Sequence, residues 1–204
     1  MSKTNPNEIG RIGFRVFRQV GRRLRNLCGL LALCGLLTEA RHVTAGEPAL
    51  REYQVKALFL LNFAKYVDWP PLSFEHTNTP IVIGVFGENN FGGDLQKAVE
   101  SRSINGREIV VRQVERESDS GRCHILFISA SEKKRLGEIL NRVKSMPILT
   151  VGETEQFTQQ GGIINFIKKE GKVRLEIDAE AARQSGLQLS SKLLSVADVV
   201  RGKP

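Results

Sequence analysis

Histidine, cysteine and tryptophan are scarce in this chain of 204 residues, which holds three, three and one of them. That scarcity limits the chemistry on offer. His42 lies in a leader-like N-terminal stretch, His76 in a polar loop, and His124 directly follows Cys123. Neighbouring residues of a strand point to opposite faces, so Cys123 and His124 do not pair as metal ligands. Acidic residues are scattered over helix ends and solvent faces, with no isolated carboxylate pair in an apolar setting. No G-x-S-x-G elbow is present. Ser131-x-x-Lys134 has the spacing of a Ser/Lys nucleophile pair. A serine directly before an amphipathic helix is more often its cap, however, and the other parts of such an enzyme are missing. No catalytic set, metal site or cofactor is expected.

A long hydrophobic run is missing too. The stretch LCGLLALCGLL (27–37) has 11 residues, whereas a membrane-spanning helix needs about 20. It follows Arg11, Arg15, Arg18, Arg22, Arg23 and Arg25 and leads to Val43-Thr44-Ala45, the pattern of a secretory signal peptide. Cleavage is expected after Ala45, with Ala40 as the alternative. Arg25 and Asn26 stand where a twin-arginine signal would be apolar, which favours the ordinary secretory route. Residues 1–45 are thus a leader and residues 46–204 a single exported domain.

Setting the leader aside changes the charge. The chain carries 30 Lys/Arg against 22 Asp/Glu, a net charge of +8; residues 1–45 take 8 and 2 of these, leaving +2. The basic pI is therefore no nucleic-acid footprint. Cys28 and Cys34 leave with the leader, so Cys123 stands unpaired, without an internal disulfide. It is either a small buried hydrophobe or a site for pairing between chains.

What remains is organised around YQVKALFLLNFAKYVDWP (53–70), a helix stopped by the Trp69-Pro70-Pro71 corner. Leu50, Tyr53, Ala57, Leu60, Ala64 and Val67 recur at helical spacing, with Val55, Phe59, Phe63 and Tyr66 as a second line beside them. Together the lines cover about 200° of the helix, roughly twice what docking on one core requires. Either the helix is buried all round, or the line Phe59, Phe63 and Tyr66 faces outward towards a second chain.

Downstream, IVIGVF (81–86), REIVVRQV (107–114), CHILFIS (123–129) and ILTVG (148–152) read as strands separated by short helices. One of these helices runs over 94–100 and another from Ser131 to about Val143. That alternation argues for an α/β domain with a largely parallel sheet. IINFIKKE (163–170) and KVRLEID (172–178) form a C-terminal antiparallel hairpin whose second strand is expected to be half-exposed. Asp178 or Ala179 opens a further helix, and Ser190 caps a last one carrying Leu193, Leu194, Ala197 and Val200. The turn GENNFGG (87–93) has part of a phosphate-binding loop, but Gly93 and Asp94 replace the lysine and the Ser/Thr that such a loop needs. Gly87, Asn90, Phe91 and Gly92 remain candidates for holding a small polar ligand at the strand ends.

The blocks 52–70, 81–93, 123–132, 148–166 and 172–197 resemble, in the same order, the YfiR family of periplasmic proteins of Gram-negative bacteria. The resemblance implies a non-enzymatic regulator. It would bind the periplasmic sensor portion of an inner-membrane diguanylate cyclase, or of another membrane sensor protein, and repress it, lowering cyclic-di-GMP and biofilm growth. It also implies a homodimer. Disulfides support the fold in some relatives, but Gly84 stands where their partner for Cys123 is placed, and the second pair has no counterpart. The rival reading is a periplasmic small-ligand sensor or carrier using the 87–93 loop.

Overall fold

The computed structural model describes residues 46–201. In chain order its elements are α1 (Gly46–Tyr66), β1 (Val67–Asp68), β2 (Ile81–Phe86), α2 (Asp94–Val99), β3 (Ser103–Ile104), β4 (Arg107–Val114) and β5 (Ile125–Ile128), followed by α3 (Leu136–Val143). Then come β6 (Leu149–Gly152), β7 (Ile164–Lys169), β8 (Lys172–Asp178), α4 (Ala179–Gln184), β9 (Gln188–Leu189), α5 (Ser191–Ser195) and β10 (Val199–Arg201).

The continuous apolar runs form the middle of the sheet. Every residue of β2, β5 and β6 is buried, as parallel strands covered on both faces must be. Strand order is β10-β8-β7-β6-β5-β2-β4-β3. All neighbours run parallel except β7–β8 and β3–β4. Strand alternation sorts the side chains into two layers. Ile81, Ile83, Val85, Ile125 and Phe127 pack with Ala57, Leu60, Phe63 and Ala64 of α1. Val82, Phe86, Leu126 and Ile128 pack with Leu136, Ile139, Leu140 and Val143 of α3. The result is the expected α/β domain with a mostly parallel sheet. The hairpin turn uses Glu170 and Gly171, both at positive φ, the geometry of a tight two-residue connection.

Local signals gave some boundaries well. Asp178 Oδ1 accepts the Ala181 amide at 2.9 Å and Ser190 Oγ the Leu193 amide at 3.2 Å, so both predicted N-caps form. Elsewhere tertiary pairing overrides the local pattern. Helix α1 ends at Tyr66, and Val67–Asp68 pair with β9 before the proline corner is reached. Ser131 does not cap a long helix: a 3₁₀ turn spans Ala130–Glu132, and α3 starts only at Leu136. The last helix stops at Ser195, and Val199–Arg201 join the sheet alongside β8 instead of continuing it. For that reason β8 is no half-exposed edge: Leu175, Glu176 and Ile177 are all buried.

Candidate functional site

One side of α1 is bound tightly to the sheet. A turn of about 100° per residue carries Ala57, Leu60, Ala64 and Val67 to the core, and all four are buried. The second line does not stay outside as a unit. Eight residues beyond Val55, Phe63 is turned by roughly 80° towards the sheet. It is fully buried, stacked at 6.0 Å on Phe166 of β7. Phe63 is therefore a core residue, not part of an outward line. Phe59 and Tyr66 are half-buried, and Phe59 leans on both Phe63 and Phe166. Among the described residues, the exposed large apolar side chains of the helix are Val55, at 41%, and Leu58, at 55%.

What clamps the helix in this rotation is a polar cluster that periodicity did not reveal. Lys56 lies within the apolar stretch of α1 yet is only 4% exposed. Its Nζ is 2.7 Å from Glu153 Oε2 and 2.6 Å from Glu52 Oε1. Glu153 sits one residue beyond β6, at the carboxyl edge of the sheet. It also accepts the Tyr53 hydroxyl at 3.0 Å and the Ala130 amide, just past β5, at 3.1 Å. Burial pushes the Tyr53 hydroxyl far above its usual pKa, and the Glu153 charge adds to that. For Glu52, burial acts upward, but Lys56 and Lys168 outweigh it and hold the carboxyl below its usual range. Around the cluster is a pocket of about 250 Å³ that includes Phe166 and Lys168. Its groups are engaged with one another, which suits an anchor. The one signal in the sequence was a lysine amid apolar residues; its partner lies 97 positions away.

The 87–93 turn lies beside this anchor and is largely committed to the fold. Phe91 is 2% exposed, set edge-on to Tyr53 at 5.2 Å and to Phe127 at 4.9 Å. It is core and not an exposed ligand contact. The Phe91 amide donates to Asn89 Oδ1, the Glu88 amide to Ser131 Oγ, and the Gly87 carbonyl accepts from Gln113. Asn90 Nδ2 donates to the Tyr53 hydroxyl at 3.2 Å. Gly92 has open space around its Cα.

At the opposite, amino edge of the sheet is a wider cleft of about 530 Å³. His124 Nδ1 accepts the Val82 amide at 3.1 Å, which leaves Nε2 to donate to the Ser73 carbonyl at 3.1 Å. The ring stacks on Phe74 at 4.6 Å and meets Trp69 edge-on. Cys123 is a buried free thiol, pushed up to about 11 chiefly by burial. A Cβ at Gly84 would overlap its sulfur, so the thiol fills the space the glycine leaves. Among the described residues no group of three or more His, Cys, Asp or Glu is placed to hold a metal, and no helix is long and apolar enough to cross a membrane.

The profile of a protein family described as YfiR/HmsC-like (DUF4154) matches residues 53–198, from the first turns of α1 to the residue before β10. The chain belongs to the YfiR/HmsC-like family. That family is one of periplasmic regulators, linked in general to cyclic-di-GMP signalling, rather than of catalysts. No curated protein matches this YfiR/HmsC-like chain. Among solved structures, a conserved domain protein from Vibrio cholerae O1 biovar eltor is similar over 73% of this chain and 60% of its own, at 11% identity and TM-score 0.49. An ABC domain from Streptococcus pneumonia, in complex with L-Trp, is similar over 75% of this chain and 60% of its own, at 10% identity and TM-score 0.47. The chain thus spans 60% of the length of each, and likenesses this distant say nothing about its function.

Proposed function

We propose that the mature chain is a periplasmic repressor that acts by stoichiometric binding. Its partner is the sensor portion of an inner-membrane signalling protein, a diguanylate cyclase, and its action lowers cyclic-di-GMP and biofilm growth. The chain is exported by cleavage of residues 1–45, works without a cofactor, and forms a homodimer. Family membership supports the class of regulator. The observation that carries the contact surface is α1 itself, fixed to the sheet by Lys56 and Glu153 while presenting Val55, Leu58 and the rim of Phe59 to solvent. Tyr66, half-buried at the end of the same helix, extends the surface; Phe63 supports it from below.

Repression requires that the chain bind the inactive partner more tightly than the active one, since equal affinity shifts no equilibrium. Deleting the gene is expected to raise cyclic-di-GMP. Wild-type protein restores the low level, while the exposed-face variant Val55→Asp/Leu58→Asp folds but does not restore it. If deletion leaves cyclic-di-GMP unchanged, the repressor reading fails.

The second reading, a small-ligand sensor, draws on the 250 Å³ pocket that Asn90 joins to the 87–93 turn through Tyr53. A metabolite that binds there raises the melting temperature. A flat thermal-shift response across a metabolite panel removes this reading.

A further inference from the structure

Residues 70–80 cross the amino edge of the sheet as a strap between β1 and β2, and none of them is buried. Leu72, in the 3₁₀ turn Pro71–Ser73, stands fully in solvent. The amides of Ser73, Phe74 and Thr79 donate to carbonyls within the strap itself. What ties the strap to the sheet is a column of side chains. His124, just before β5, takes the Val82 amide on Nδ1 and gives its Nε2 proton to the Ser73 carbonyl. The Phe74 ring is held between two groups, the His124 ring at 4.6 Å and the Arg107 guanidinium at 3.8 Å. Arg107 also donates to the carbonyls of His76 and Thr79, at 2.9 and 2.8 Å. Trp69, at the base of the strap, donates to the His124 carbonyl at 3.2 Å.

This arrangement requires a neutral imidazole. Both ring nitrogens are in use, one accepting and one donating, and a second proton on Nδ1 would point at the Val82 N–H. The new charge would also face Arg107 across Phe74, with Arg112 and Arg122 on the same cleft wall and Glu75 the carboxylate beside them. His76 lies exposed on the strap, and Asp119 acts on the neighbouring Cys123. We propose that His124 is the latch of an acid-released strap. Protonation breaks its bonds to Val82 and Ser73, residues 70–75 lift from the sheet edge, and the cleft of about 530 Å³ beneath them opens. Arg107 keeps the far end attached. Burial, the leading cause, lowers the pKa of the closed ring, so the open form takes up the proton first. The inference is independent of what the chain represses.

Trp69 is the single tryptophan of the chain, so its fluorescence reports on the base of the strap alone. Acrylamide reads access to the indole, whereas brightness also responds to a nearby imidazolium. Quenching is followed in the exported protein as the pH is lowered, alongside far-UV circular dichroism. The open fraction is expected to grow by up to about tenfold per pH unit below ~6.5, where a free histidine titrates, with the dichroism unchanged. His124→Gln, which does not titrate, is expected to give quenching that is flat with pH, and His76→Gln to keep the wild-type rise. Should His124→Gln fail to fold, ring-proton NMR of His124, assigned by comparison with His76→Gln, supplies the same test: its midpoint must coincide with that of quenching. Quenching that stays flat in the wild type, that rises only as the dichroism is lost, that still rises in His124→Gln, or that titrates apart from the His124 ring would overturn the proposal.

Discussion

Replacing Glu153 by alanine removes at one stroke the acceptor of the Tyr53 hydroxyl, the Lys56 ammonium and the Ala130 amide. Breaking a buried ion pair from one side costs about 3–5 kcal/mol where the other charge is left stranded; Lys56 keeps Glu52 at 2.6 Å, which holds the cost to the lower end of that range. Glu153→Ala is expected to lose that much in denaturant unfolding. Lys56→Met/Glu153→Leu, which removes both charges, should recover most of the loss; a double variant as unstable as the single would show that the pair is not what holds α1. His124 gives the chain an acid sensitivity of defined sign. Burial lowers its pKa, the Ser73 carbonyl acts in the opposite sense, and Arg107 lowers it further. An unfolded histidine titrates near ~6.5. Below that value the unfolded chain takes up a proton that the native ring refuses, because its Nδ1 is occupied by the Val82 amide. This contribution is therefore complete above the unfolded value and is lost as pH falls towards the depressed native one. Urea midpoints at about pH 8 and about pH 5 should differ more for the wild type than for His124→Gln. At Cys123, a thiol held at about 11 by burial should resist iodoacetamide in the native protein and react once it is unfolded.

Among the elements, the segment between β6 and β7 shows most plainly how close packing constrains sequence. Phe157 is fully buried, and its ring lies so near Gly152 and Gly162 that a Cβ on either would overlap it. Gly152→Ala is expected to destabilise by about 3 kcal/mol, the upper range for overpacking, and Phe157→Ala by about 3–5 kcal/mol. With the ring gone, the added methyl has room. Gly152→Ala/Phe157→Ala should then be no less stable than Phe157→Ala alone, a coupling that a double-mutant cycle reads directly. The same contrast explains which elements the sequence discloses. β2, β5 and β6 announce themselves because both faces are buried and every residue but Thr150 is apolar. The caps at Asp178 and Ser190 are legible because a cap is a local hydrogen bond. β10, the β1–β9 pairing and the inward turn of Phe63 depend on what lies opposite, and no local window contains that. Lys56 is visible as an anomaly, but nothing near it in sequence names Glu153.

At the scale of the whole molecule, the leader expected over 1–45 lies outside the described residues, and its removal is a direct prediction. Protein recovered from the periplasm should begin at Gly46 by mass spectrometry, with Arg41 as the start if cleavage falls at Ala40. The fold itself sets an order of events. Helix α1 is the first described element to be made, yet it packs against β8 and α5, and the strand that follows it pairs with β9. Its apolar face has no complete seat until about the last turns of the chain exist, because contacts of such sequence separation form late. A chain whose first helix is seated in part by its last strands is expected to close late. Under the export proposed above, that order would keep it threadable through a narrow channel until its tail is through.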